Sequence, residues 1–342
     1  MLSSIQLIYV FWGVFLFING VTYFLYAVDK VRAKKKSRRI KERRLLFLTL
    51  FFGGFGAFIG MYKHRHKTQK KKFRFVVTIG VVIASITIIH LIEGITVGRM
   101  IQFKNVTFYS EFWPEHLNGY TVGFMSDFHQ ISEEDMMKVA NELNERSLDL
   151  LLLGGDFADN QHKSDHFITT LDVISSIQTT DGIFGVEGNH DTYAYLFPAM
   201  LKRNITPLNN TGQLIRNGFF LGGVQDLRLR QPDIHQATSK ANPDDFILLL
   251  THNPDVAMWE DAQHLNLVLA GHTHGGQINF FGFPIYLAIG NVSTYGTRFS
   301  HGFNDANHDL PVFTTRGVGS YYNWPRIFAR PEVIVLTMHH EK

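Results

Sequence analysis

The chain has 342 residues, enough for one large or two medium domains, and its net charge of +3 conceals an uneven distribution. Residues 1–95 hold 17 Lys and Arg against 3 Asp and Glu, whereas residues 96–342 hold 16 against 27. The basic part is also the more apolar one, which points to a membrane anchor rather than a nucleic-acid arm. The acidic part would repel a polyanion, so no nucleic-acid partner is expected. The chain contains no cysteine, which excludes disulfides, thiolate metal sites and cysteine nucleophiles.

Ile5 to Val28 is a run of 24 residues without a charge, long enough to cross a bilayer core. No basic segment precedes it, and Asp29-Lys30 follows without a small-residue cleavage site, which argues against a signal peptide. Lys30 to Arg44 then carries ten basic residues, and Lys63 to Arg74 carries seven more. Between them Leu45 to Tyr62 is a short apolar run with Gly53, Gly54, Gly56 and Gly60, small residues that suit close helix packing. Phe75 to Ile92 is apolar and rich in β-branched residues. A buried helix can resemble any one of these runs. Three of them, edged by basic clusters, predict a membrane region over residues 1–95, with two or three membrane helices and basic loops.

Both basic clusters are expected on the cytoplasmic side, because translocating so many Lys and Arg opposes the positive-inside bias. That holds only if Leu45–Tyr62 does not cross but forms a shallow hairpin, which places everything after Ile92 outside the cytoplasmic membrane. Three simple spans with a cytoplasmic second half form the rival arrangement. Tyr26, Asp29-Lys30, Arg39-Ile40, Gly53-Gly54, Gly60 and Arg65-His66-Lys67-Thr68 make this region similar to a family of small bacterial membrane proteins of unknown function, a resemblance that implies no activity.

Residues 96–119 read as a linker, and from Tyr120 to the end short strands alternate with helices. Tyr120–Ser126, Leu148–Leu153, Ile183–Val186, Phe246–Leu250 and Leu265–Leu269 read as largely apolar strands, and Glu133–Arg146 as an amphipathic helix with acidic residues in its first turn. Just beyond the carboxyl ends of these strands stand Asp127-Phe128-His129, Gly155-Asp156, Gly188-Asn189-His190-Asp191, His252 and Gly271-His272-Thr273-His274. Open α/β sheets place their ligands there.

Each pattern joins imidazole, carboxylate or amide to a break in the chain. Together they suit two divalent metals about 3.5–4 Å apart, the arrangement that drives in-line attack on phosphorus. Asp127 and His129 can both turn inward on a loop. Asp156 follows two glycines, whose freedom lets one carboxylate reach both metals. Asn189 offers an amide oxygen, which leaves His190 free for acid or electrostatic work. His272 and His274 straddle Thr273 and can serve one metal each. Manganese, iron, zinc and cobalt all accept such ligands.

With this ordered series complete, the chain from about Thr121 onward resembles the calcineurin-like metallophosphoesterase superfamily. The resemblance implies a layered α/β/β/α sandwich, here preceded by N-terminal transmembrane helices. It implies that Asp127, His129, Asp156 and His274 hold one metal, and that Asp156, Asn189, His252 and His272 hold the other. It assigns His190 to the phosphate and the leaving group, oriented by Asp191, with a metal-bridging hydroxide as the nucleophile. Thr315-Arg316-Gly317-Val318-Gly319, Pro325-Arg326 and Pro331-Glu332 resemble a bacterial membrane-associated branch, some of whose members cleave lipid or nucleotide-lipid phosphoesters.

The expected function is therefore membrane-anchored hydrolysis of a phosphodiester or lipid-linked phosphate, with membrane lipids as partners. A non-catalytic metal-binding scaffold, or a regulatory domain of a membrane protein, is the alternative, and loss of a ligand or of His190 would favour it. No ligand is lost. His162, His166, His235, His264, His301 and His308 lack the strand-end context and read as solvated. Asp159 reads as a brace for the loop after Asp156, and Arg316 as either a phosphate ligand or a structural ion pair. Phe280-Phe281-Gly282-Phe283-Pro284 with Tyr286 reads as packing, with an apolar rim for a lipid substrate as the other reading.

Overall fold

The computed structural model describes residues 4–158, 165–290, 292–321 and 324–341, so Asp159 and His162 lie outside the described residues. The chain forms two compact units, Met1–Ile95 and Thr96–Lys342.

The first unit has four helices: α1 (Ser4–Lys34), α2 (Glu42–Leu50), α3 (Gly54–Lys63) and α4 (Lys71–Ile95). Two apolar stretches, Tyr9–Lys34 and Lys71–Arg99, have the length and composition to cross a membrane, with mean hydropathies of 1.6 and 2.6. The middle run does not. It is broken at Phe51–Gly53 into helices of 9 and 10 residues, each about 15 Å long against a hydrocarbon core of about 30 Å. Asn19 of α1 satisfies the backbone freed by this break. Its Nδ2 donates to Phe52 O at 2.8 Å, and its Oδ1 accepts from Gly56 N at 2.9 Å. Glycine is required where α3 meets its neighbours, because a Cβ on Gly54 would strike the backbone of Gly80 and one on Gly56 the backbone of Asn19.

Asp29, fully buried at the end of α1, joins the two basic loops. Its carboxylate accepts from Arg39 Nη2 at 2.7 Å, Ile40 N at 2.8 Å and His66 Nε2 at 2.8 Å, with Lys67 Nζ 3.6 Å away. Glu42 pairs with Lys67 at 2.7 Å and Lys70 at 2.6 Å. Residues of both basic clusters thus meet at one end of this unit.

The second unit contains two six-stranded sheets. The first runs in the order β1 (Gln102–Ser110), β12 (Glu332–His340), β2 (Tyr120–Met125), β3 (Leu150–Leu153), β4 (Ile183–Gly185), β5 (Ile205–Pro207). All its pairs are parallel except β12 with β2. The second runs β10 (Gly302–Asp305), β11 (Pro311–Thr314), β9 (Leu267–Ala270), β8 (Phe246–Leu250), β7 (Phe219–Gly223), β6 (Thr211–Arg216), with antiparallel pairs only at its two edges.

Alternation along the strands builds the layers. Leu150 and Leu152 face Leu248, Leu250, Leu267 and Leu269 between the sheets. Leu151 and Leu153 face the other way, onto α5 (Glu133–Asn144), α6 (Asp165–Ile174) and α7 (Tyr193–Leu201). On the far side Ile247, Leu249 and Val268 pack under α8 (Ile234–Thr238) and the short turns at 254–262. The result is the layered α/β/β/α order, and strands covered on both faces explain why their sequences read as unbroken apolar runs. Ser132 caps α5 by accepting from Asp135 N at 3.1 Å. The remaining helix, α9 (Ile285–Ile289), follows the last ligand motif.

Candidate metal centre

The loops after β2, β3, β4, β8 and β9 converge at one edge of the two sheets. Asp127, His129, Asp156, His272 and His274 all have φ between 39° and 71°, left-handed backbone that non-glycine residues rarely adopt. Such turns aim each side chain back across the strand ends. Glycine is demanded beside them: a Cβ on Gly188 would overlap the Asp156 carboxylate, and one on Gly271 would overlap Ser126 and Asp127.

The expected ligands fall into two adjoining sets. Asp127, His129, Asp156 and His274 are buried, with one ligand atom from each lying within 4.8 Å of the others. In this set His129 Nε2 is 3.0 Å from His274 Nε2, which is 3.3 Å from Asp127 Oδ1. In the second set His252 Nε2 is 3.2 Å from Asn189 Oδ1 and 3.2 Å from His272 Nδ1. Asp156 Oδ2 belongs to both, at 3.5 Å from His129 Nε2 and 3.2 Å from His252 Nε2. Its other oxygen is occupied by His190 N at 2.8 Å.

The far ring nitrogens fix which nitrogen faces inward. His129 Nδ1 donates to Ala158 O at 3.2 Å, His252 Nδ1 to Gly154 O at 2.7 Å, and His272 Nε2 to Val292 O at 2.9 Å. A proton on each of these atoms leaves a lone pair on the other, as metal ligation requires. His274 differs, because Arg326 Nη2 donates to its Nδ1 at 3.1 Å. Arg326 is itself buried and donates to the carbonyls of Gly319 at 2.8 Å and Ala329 at 3.1 Å.

Without a cation the cluster is electrostatically awkward. Burial pushes the Asp127 carboxyl up. Burial also opposes charge on His252, yet the neighbouring Asp156 outweighs it and pushes that imidazole up to about 10. Burial, then the charge of His252, holds His272 down at about 3, and burial with His129 and Arg326 holds His274 well below its ordinary value. Hard carboxylate and amide oxygens and neutral imidazoles, sharing one carboxylate oxygen in a pocket short of positive charge, suit divalent ions.

His190 stands beside the first set, its ring centroid 5.3 Å from that of His129 and 4.8 Å from that of Tyr321. Asp191 is the residue that the resemblance implies orients His190. Its carboxylate accepts from the backbone N–H of Asp156 at 2.8 Å, Phe157 at 2.8 Å, Ala158 at 3.2 Å and Gly188 at 2.9 Å. It ties the loop that carries Asp156 to the loop that carries His190.

Two further neighbours were not singled out from sequence. Tyr321 lies over His129 and His190, held there by Gln277, whose Oε1 accepts from Tyr321 N at 3.1 Å. Arg326 appeared only within a tail motif. That tail braces the first ligand loop: Val318 N donates to Ser126 O at 3.0 Å and Gly319 N to Asp127 O at 2.8 Å. Arg316 makes no ion pair among the described residues, and its backbone N–H donates to Glu332 at 3.0 Å. Of the remaining histidines, His166, His235, His264 and His308 are exposed and His301 is half-buried.

The family model for calcineurin-like phosphoesterase matches residues 120–276, and one for a protein of unknown function (DUF1294) matches residues 19–73. The chain is 30% identical to the uncharacterized metallophosphoesterase YkuE of Bacillus subtilis, over 70% of this chain and 86% of that protein. It is 30% identical to the phosphodiesterase YaeI of Escherichia coli, over 66% of this chain and 85% of that one. A transmembrane protein with metallophosphoesterase domain from Danio rerio is 27% identical, over 64% of this chain and 53% of its own length.

Proposed function

Because the chain belongs to the calcineurin-like metallophosphoesterase family, we propose that it is a membrane-anchored phosphoesterase acting on a phosphodiester or lipid-linked phosphate at a dinuclear centre. The observation that carries the reading is Asp156 Oδ2, which lies within 3.5 Å of His129 Nε2 and 3.2 Å of His252 Nε2 and so serves both ligand sets. Asp127, His129 and His274 complete one set. Asn189, His252 and His272 complete the other.

Divalent ions there supply positive charge for the phosphoryl oxygens and lower the pKa of water into the physiological range. The chain's own residues do the rest. Asp156 holds the two sets in register, and the carbonyl-bound imidazoles keep their inward nitrogens free of protons. His190, unlike its neighbours, has no place in either ligand set. It faces the first set from the side, where it is placed to stabilise charge on the phosphoryl group and to protonate the leaving oxygen. Asp191 is a positioning residue for the loops that carry Asp156 and His190.

The same reading has α1 and α4 crossing the membrane and the α2–α3 pair entering and leaving on one side. Asp29 supports it, since the groups it binds come from both basic clusters, as a shared cytoplasmic face requires. The catalytic unit then stands outside the cytoplasmic membrane. Full-length protein, purified in detergent with manganese, should hydrolyse a chromogenic phosphodiester, and His190→Ala should do so much more slowly. Comparing the lipids and nucleotides of cells carrying either form would identify the natural substrate by its accumulation.

A further inference from the structure

A patch of exposed aromatic side chains lies close in sequence to the last ligand, His274. Beyond it Phe280 and Phe283 exchange backbone hydrogen bonds at 2.9 and 3.0 Å, which closes a tight hairpin around Phe281 and Gly282. A second segment runs alongside. Asn279 N donates to Ile327 O at 2.9 Å, Asn279 Nδ2 to Phe328 O at 3.1 Å, and the rings of Phe281 and Phe328 lie 5.7 Å apart. Asn279 Nδ2 also donates to Gly275 O at 2.9 Å, so the hairpin is fixed to the turn that follows the ligand.

On this frame Phe280, Phe281, Phe283, Tyr286 and Trp324 are each between 48% and 59% exposed. Single exposed apolar residues are ordinary, but five large exposed rings on two adjoining segments mark a contact surface. Its charge indicates the partner. Residues 262–304 and 310–331 contain no Asp or Glu, although residues 96–342 hold 27. The charges in these two stretches are Arg298, Arg316, Arg330 and the buried Arg326. A surface of Phe, Tyr and Trp, drawn from stretches without carboxylates in an otherwise acidic unit, suits an anionic bilayer: the rings enter the interface and these stretches set no negative charge against the headgroup phosphates.

We propose that this aromatic hairpin docks on the bilayer surface, with Phe281 and Phe283 entering the headgroup–acyl boundary, so that the metal centre meets phosphoesters at the membrane interface. The inference rests on the membrane anchoring proposed above, since residues 96–101 are the short connection from α4 to β1.

The absence of cysteine makes the test direct. Single cysteines placed by Phe281→Cys, Phe283→Cys, Val82→Cys in α4 and Lys240→Cys on the acidic unit would be spin-labelled in the full chain. The protein would be reconstituted in nanodiscs of phosphatidylcholine with phosphatidylglycerol, and collisions with oxygen compared with those with a water-soluble nickel chelate. Labels at 281, 283 and 82 should favour oxygen, and the label at 240 should favour nickel. A label at 283 that behaves like the one at 240, while 82 reports lipid, overturns the docking and leaves the anchoring intact. A label at 283 shielded from both reagents indicates a protein partner and also overturns it. Aqueous behaviour at 82 as well as 283 defeats the anchoring and the docking together.

Discussion

Arg326 Nη2 donates to His274 Nδ1 at 3.1 Å, whereas the far nitrogens of His129, His252 and His272 donate to main-chain carbonyls. One expected ligand is thus held by a buried cation that also joins Gly319 and Ala329. A donor at Nδ1 leaves the imidazole proton on Nε2, the nitrogen that faces the first set, so Arg326→Met should tighten the ion held with His274 and leave the other near normal. Arg326→Lys, which keeps a donor beside Nδ1, should change it less. Competition with a chromogenic chelator checks this, and unchanged affinity in Arg326→Met would remove the role.

Asp156→Ala should weaken both ions and abolish turnover, because its Oδ2 faces both sets. Asn189→Ala should disturb only the set that contains His252. Elemental analysis of the two variants separates these outcomes; two tightly held ions in an active Asp156→Ala protein would reject the shared carboxylate.

His190→Ala should lower kcat by about 10²- to 10⁴-fold with metal content retained. The loss should be smaller for a nitrophenolate leaving group than for an alkoxide. Equal losses would reject proton donation while leaving electrostatic stabilisation in place.

Asp191→Ala should act first on stability. It strips four buried backbone N–H groups of their acceptor. A destabilisation of at least about 3 kcal/mol follows, because each unsatisfied donor carries a desolvation cost. Thermal unfolding measures it, and a variant as stable as the parent would contradict the bracing role.

The site was legible because every candidate ligand follows an apolar strand, and a strand buried on both faces shows in sequence as an uninterrupted run such as Leu150–Leu153. A hairpin in the middle apolar run was one of two arrangements that its four glycines allowed, and its division into α2 and α3 depends on Asn19, 37 residues from Gly56, to which it bonds. Three things were not legible. The insertion of β12 between β1 and β2 joins strands more than 200 residues apart. Arg326 reaches His274 across 52 residues with no local pattern to announce it. The Asp191 contacts lie with backbone N–H groups, which every non-proline residue carries, so residue type could not single them out.

On the proposed topology, protease added to intact spheroplasts should release or digest the acidic unit, since both basic clusters meet at Asp29 at one end of the first unit. Digestion only after lysis would instead require the arrangement with a cytoplasmic catalytic unit.

The central claim is hydrolysis at a centre that needs two ions. Manganese should be titrated into metal-stripped, full-length protein while hydrolysis of bis(4-nitrophenyl) phosphate is followed. The rate should remain low at one equivalent per chain and saturate at two. Full activity at one equivalent, or no hydrolysis with two ions bound, would contradict the account.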